Sequence, residues 1–193
     1  MKKLFALLLC FCMLVSFTAC TKNSITSKIE RPDATPMVLD KTYTLKDLTY
    51  RISSSLERVA DDAGNCSYEI GDGSIVIGTM EYGNDVALDI TDKEKAKGML
   101  QAFIEFYKSR DEDNIVKTID YDITVSNRQG VLFTGNYGDI ENINLFIADE
   151  TVLYLLFVRE PSTGDGTLRA TFLDVIDSIK IKGSTPVLVD RSI

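Results

Sequence analysis

The sequence predicts an α+β fold: a mainly antiparallel sheet with a helix available for each face. Three observations predict it. Short strand-like runs follow one another across tight turn signals, and tight hairpins make neighbouring strands antiparallel. Two longer segments carry apolar residues at helical spacing. One run, Val152-Leu153-Tyr154-Leu155-Leu156-Phe157-Val158, is apolar on both sides of a strand and therefore needs cover on both sides of its sheet.

The chain opens with Met1, Lys2 and Lys3, then an unbroken apolar run of twelve over 4–15. This is the pattern of a secretory leader. As a helix the run covers only about 18 Å at 1.5 Å per residue, short of a hydrocarbon core of about 30 Å. Phe17-Thr18-Ala19-Cys20 follows. It resembles the bacterial lipobox, in which small residues precede a Cys that is acylated on sulfur and becomes the new N-terminus. Phe17 stands where that motif usually has Leu. The expectation is a lipoprotein signal peptide over 1–19 and a lipid on Cys20. Two or more acyl chains anchor stably, since each buried CH₂ contributes about 0.8 kcal/mol. Residues 20–40 are expected to be the lipidated Cys and a polar tether, because they hold Pro32 and Pro36 and show no periodicity. Residues 41–193 are expected to form one α+β domain. The mature chain would have 174 residues, 193 less the leader's 19, enough to bury a core without disulfides.

Within that domain, 42–45 and 49–53 are short strand candidates. Residues 66–70 and 74–80 flank Gly71-Asp72-Gly73, a hairpin signal. Thr91-Asp92-Lys93-Glu94 reads as a capping box, with Thr91 as N-cap and Glu94 reaching back. Ala96, Met99, Leu100, Phe103, Phe106 and Tyr107 continue it as an apolar stripe, and the helix should stop near Arg110. Ile119, Tyr121, Ile123 and Val125 alternate with Asp120, Asp122 and Thr124, which predicts one dry face and one wet one. Residues 127–130 turn the chain into 131–134, and 142–148 and 151–158 form a hairpin across Asp149-Glu150. The second helix spans about 165–179, with Leu168, Phe172, Val175, Ile176 and Ile179 on one face. Gly164 and Gly166 lie at its start, and Asp165 favours its N-terminus electrostatically.

The order is strands, helix, four strands, helix. With the ending Phe172-Leu173-Asp174-Val175-Ile176-Asp177-Ser178-Ile179-Lys180, it resembles the PsbP-like fold, a group that includes many small bacterial lipoproteins. Residues 49–55 are similar to its opening strand. The group's usual Gly-Phe and Pro-x-x-Trp around that strand are absent, and the chain has no Trp. Over 42–181 the resemblance implies an α/β/α sandwich around an antiparallel sheet. It carries no catalytic residue across.

Composition excludes several chemistries. There is no His, which removes Ser-His-Asp and Cys-His catalysis, His-ligated zinc and the HExxH metalloprotease. Cys10 and Cys12 would leave with the leader and Cys20 carries lipid, so Cys66 is alone in the domain and forms no internal disulfide. Its place in a strand-like run makes it a small buried hydrophobe rather than an activated thiol. Gly71-Asp72-Gly73 lacks the ending of a phosphate loop. Net charge is −8, and −10 once Lys2 and Lys3 are removed, which argues against nucleic acid and against charge-driven adhesion to anionic lipid. Asp111-Glu112-Asp113-Asn114 is the densest acidic cluster. It reads as a solvated loop, with a weak calcium site as the other reading. Asp61-Asp62, and Asp139 with Glu141, are similar loop acids. Ser53-Ser54-Ser55 and Ser178-Ile179-Lys180 are the only segments one could name for a Ser-Lys dyad. Tyr82 and Tyr137, each beside Gly, are either exposed contacts or sheet-edge packing.

No catalytic residue, cofactor or metal ligand is assigned, and the chain reads as a non-enzyme. The expected function is a membrane-anchored extracytoplasmic lipoprotein, held on the outer face of a bacterial membrane through Cys20, that works as a binding or scaffolding module with an envelope protein partner. The alternatives are a small-ligand-binding lipoprotein serving a transporter, and a hydrolase using carboxylates or a Ser-Lys pair. A filled sandwich favours scaffolding; a pocket with convergent polar groups favours the alternatives.

Overall fold

The computed structural model describes residues 29–60, 65–82, 87–89, 92–109 and 114–183. The leader, Cys20, the first part of the tether, Asp61-Asp62, Thr91 and Asp111 to Asp113 lie outside the described residues.

The chain begins with a hairpin, β1 (Lys41–Leu45) and β2 (Leu48–Ile52). Strands β3 (Glu57–Ala60), β4 (Cys66–Ile70) and β5 (Gly73–Glu81) follow, then helix α1 (Lys93–Ser109). Four strands come next: β6 (Asn114–Val125), β7 (Arg128–Tyr137), β8 (Ile140–Ala148) and β9 (Val152–Pro161). Helix α2 (Thr167–Ser178) and the short β10 (Lys180–Ile181) close the fold. A seven-stranded sheet runs β3-β4-β5-β9-β8-β7-β6, and a three-stranded sheet runs β1-β2-β10. All pairings are antiparallel.

Strand β9 lies in the middle of the large sheet, where its double-sided hydrophobicity is needed. Tyr154, Leu156 and Val158 face the core shared with α2 and the small sheet, while Leu153 and Leu155 face α1. Helix α2 offers Leu168, Phe172, Val175 and Ile176 to the first core, and α1 offers Ala96, Leu100 and Ile104 to the second. The layers are thus α1, the large sheet, and α2 beside the small sheet.

Several expectations need correction. The cap of α1 is Asp92, one residue after Thr91: its Oδ1 accepts from Lys95 N at 3.1 Å. Phe106 is not part of the buried stripe but is 57% exposed, and Ile104 takes a buried place instead. Phe106 lies about 100° round the helix from Tyr107 at 3.6 residues per turn, so it misses the sheet. The alternation in β6 does not give one dry face. Ile123 and Val125 enter the α2-side core, whereas Ile119 and Tyr121 pack on the α1 side. The register shifts between Asp120 and Ile123, and again between Val116 and Thr118. Each extra residue swaps the faces of everything beyond it. Short strands β3 and β10 lacked a periodic signal; β10 is recruited by pairing with β2.

Residues 29–40, expected as tether, lie along α2 from Ile29 onward. Ile29, Met37 and Leu39 pack against the α2-side core. Arg31 bridges Asp174 and Asp177 at 2.7 and 3.0 Å, and Met37 N donates to Thr171 Oγ1 at 2.9 Å. Gly166, at φ 84, caps α2 in a left-handed conformation, and any Cβ there would sit 2.8 Å from Pro32. Asp165 does support this helix start, accepting from Thr167 N at 2.8 Å.

Candidate functional site

The α1 face of the sheet is longer than α1 can cover. Past the last turn of the helix it leaves a cleft of about 420 Å³. Its walls follow from register. On β8, Ile140, Asn142, Asn144 and Phe146 share one face by strict alternation. Across from them on β9 stand Arg159 opposite Asn142, Phe157 opposite Asn144 and Leu155 opposite Phe146. On the other flank, β7 places Phe133 opposite Asn144 and Gly135 opposite Asn142. Gly135 is required there, because a Cβ would run into the carbonyl oxygen of Ile115 at the β6 bulge. The Ile115 carbonyl and the Asn142 side chain occupy the space that a side chain at this position would need.

Aromatic rings make the inner end rigid. Phe103 and Tyr107 descend from α1 onto Phe146 and Phe133, with edge-on ring pairs at 5.0 to 6.4 Å between centroids. Such pairs contribute about 0.5–1.5 kcal/mol each beyond their burial. Burial pushes the Tyr107 phenol above its ordinary pKa, with the Arg159 cation working in the opposite direction. Tyr137 and Asn114 stand at the rim. Asn114 Nδ2 donates to the Tyr107 carbonyl at the end of α1, at 3.4 Å.

The polar groups of the cleft are few. Asn142 and Asn144 are 8% and 3% exposed, and their amides join at 2.7 Å. Whichever amide donates in that bond, one NH₂ and one C=O are left over, with no other hydrogen bond among the described residues. Arg159 lies over the Phe157 ring at 5.1 Å and makes no ion pair among the described residues. Arg51 and Arg58 also lack a carboxylate partner among the described residues, donating to the Leu39 carbonyl and to Cys66 Sγ, whereas two others are compensated. Arg128 pairs with Asp149 at 3.1 Å in a buried contact, and Arg169 pairs with Glu141 and, at 2.8 Å, with Glu160. Glu160 also accepts from the Leu168 and Arg169 backbone N–H groups at 3.4 and 3.3 Å, so the α2 N-terminus already holds a carboxylate of the protein itself.

Residues singled out in the sequence are dispersed. Cys66 is buried in β4 and accepts a hydrogen bond from Arg58 at 3.1 Å. Beside it, Tyr50 and Tyr68 join hydroxyls at 2.6 Å, and burial raises the pKa of both phenols. Ser54 Oγ donates to Asp40 at 2.6 Å, and Ser53 Oγ accepts from Ser55 N. Ser178 Oγ donates to the Val175 carbonyl and accepts from Arg51 N, while Lys180 is exposed. These hydroxyls serve turns and helix ends. Glu141 is tied to Arg169, and Asp139 is an exposed turn residue. Of the acidic cluster only Asn114 is described, and it lines the cleft; no metal-ligating group of three forms among the described residues. Tyr82 packs against the α1-side core, whereas Tyr137 is 45% exposed at the cleft rim. The residues that sequence reasoning missed are Asn142, Asn144 and Arg159. Their available signal was polarity at alternate positions of runs that otherwise read as buried strands.

No known family pattern and no curated protein matches this chain. Among solved structures it is similar to the solution structure of cyanobacterial PsbP (CyanoP) from Synechocystis sp. PCC 6803, with a TM-score of 0.53 and 10% sequence identity over 74% of this chain and 92% of that one. At that identity the likeness concerns the fold alone, and the chain has the PsbP-like α+β architecture that its element order implied.

Proposed function

We propose that this protein is an extracytoplasmic, lipid-anchored binding module and that it binds through the cleft beside the end of α1. The carrying observation is the cleft itself, with its aromatic inner end, its spare amide groups and an Arg159 that has no carboxylate partner among the described residues. Among the described residues its lining includes no carboxylate, serine, threonine, cysteine or lysine, so no acid–base pair or activated nucleophile converges there among them. This supports binding over hydrolysis. A cleft with polar groups, rather than a filled sandwich, favours ligand binding over scaffolding, so it supports as a second reading the delivery of a small ligand to a transporter.

The anchor rests on the leader and the lipobox before Cys20. No helix among the described residues is long and apolar enough to cross a membrane. Only residues 21–28 separate Cys20 from the strap on α2. Eight residues reach no more than about 29 Å at ~3.6 Å each. The cleft therefore works close to the bilayer, where tethering supplies effective concentrations in roughly the mM range and weak contacts suffice.

The test is photocrosslinking on intact cells. A photoreactive residue at Tyr137, on the cleft rim, is compared with one at Val59, exposed on the edge strand β3. A discrete adduct at 137 and none at 59 is expected. Equal capture at both positions would remove the cleft from the account.

A further inference from the structure

We infer that the cleft takes a carboxylate that sits next to a secondary amide and carries an apolar side chain. This is the chemistry shared by an N-acyl amino acid and by the C-terminal residue of a peptide. The inference deepens the binding reading above and rests on it.

Charge complementarity chooses the anion. The protein has a net charge of −8, and its buried or clustered arginines 128 and 169 are matched by its own acids. Arg159 has no acidic partner among the described residues, and it projects, exposed, from the same strand face as the aromatic inner end of the cleft. Stacking on Phe157 holds the guanidinium with its donors available, and a planar fork pairs with a carboxylate through two parallel N–H···O bonds.

The amides choose what stands beside the anion. Asn142 is directly across from Arg159, and Asn144 is across from Phe157. Their mutual bond leaves one NH₂ group and one C=O group unused on these nearly buried side chains. A secondary amide presents one N–H and one C=O, and so can pair with each group. A ligand without such groups would cover polar atoms without pairing them, which weakens binding. The rings of Phe103, Phe146 and Phe157 and the side chain of Leu155 then receive an apolar side chain. The volume, about 420 Å³, lies within the ~300–1,000 Å³ of small-molecule clefts. It suits one residue and its flanking amide.

The full-length chain, purified in detergent, is titrated calorimetrically with three probes: N-acetyl-L-phenylalanine, its neutral C-terminal amide, and N-acetyl-Ala-Ala-Ala-Phe with a free carboxylate. The acid is expected to bind at least tenfold more tightly than the amide. Arg159→Met keeps the apolar stem and should bring the acid down to the affinity of the amide, while leaving the amide unchanged. Asn144→Leu should weaken both acid and amide. Thermal melts of each variant show whether it is folded, and Arg159→Lys, which restores the charge without the fork, should recover part of the preference. A tetrapeptide that binds more than tenfold better than the single residue identifies peptide ends as the source; equal binding identifies the free N-acyl amino acid. Equal affinity for acid and amide overturns the anion inference and leaves the cleft as a binding site. No binding of the acid at millimolar concentration overturns it too, and the crosslinking at position 137 then decides separately whether the cleft binds anything.

Discussion

Arg128 and Asp149 show how few side chains hold the turns of the sheet. Arg128 opens β7 and Asp149 lies in the β8–β9 turn, and their side chains are 5% and 11% exposed. Asp149 Oδ1 also accepts from Glu150 N at 3.0 Å, so one carboxylate organises a hairpin and neutralises a buried cation. Arg128→Met strands that carboxylate and is expected to cost about 3–5 kcal/mol. Replacing both partners by apolar residues should cost much less, because nothing is then left charged and buried. Urea unfolding of the single and double variants measures the difference. Gly135→Ala should cost about 1–3 kcal/mol by forcing β7 away from the Ile115 carbonyl. Its Cβ would also press on Asn142 Oδ1 at 3.2 Å, and so should weaken a cleft ligand that uses that amide.

At the scale of elements, the sequence was most legible where a period ran uninterrupted. The core of α2, both faces of β9 and the β4–β5 and β8–β9 hairpins follow from spacing and turn residues alone. Strand β6 was misread because two bulges change its parity without changing its residue types. The strap over 29–40 was missed for another reason: its partners Thr171, Asp174 and Asp177 are more than a hundred positions away, and a segment that packs by isolated contacts has no period. Of the cleft, Phe103, Tyr107, Asn114 and Tyr137 had been singled out, but none as part of a common site. Its depth depends on the register of three strands and the length of a helix, which no local pattern encodes. The strap yields a prediction. Deleting 29–39 should lower stability by on the order of 2 kcal/mol, from partly buried Ile29, Met37 and Leu39. That is about 4–8 °C in melting temperature for a domain of this size.

Acid sensitivity also belongs to the elements. Asp40, Asp92 and Asp165 hold turns or helix starts, and their pKa values are lowered below 3.8 by the N–H and O–H groups they accept from: Ser54, Lys95 and Thr167 respectively. A carboxyl with a lower pKa in the folded state stabilises it above the unfolded pKa and loses that contribution as pH falls through the folded value. Stability should therefore be level down to about pH 5 and decline below about pH 4. With no His in the chain, no step should appear between pH 5.5 and 7.5 beyond about 0.5 kcal/mol. Chemical denaturation across pH checks both statements.

At the scale of the whole molecule, the chain has a PsbP-like sandwich with a cleft on its α1 face, and we propose that Phe17-Thr18-Ala19-Cys20, behind an apolar run, is its lipidation signal. Cys20→Ser should abolish incorporation of labelled fatty acid and leave an uncleaved or released product. Unchanged labelling would place the lipid elsewhere. The central claim, that the cleft binds close to the membrane because the anchor keeps it there, is tested most directly by crosslinking from position 137 in two cell lines matched for copy number. One carries the native leader and Cys20; the other carries an ordinary secretory leader and releases the chain free. The account predicts an adduct in the first that falls by tenfold or more in the second, as a weak contact loses its effective concentration. The same adduct at the same yield from the free protein would contradict it.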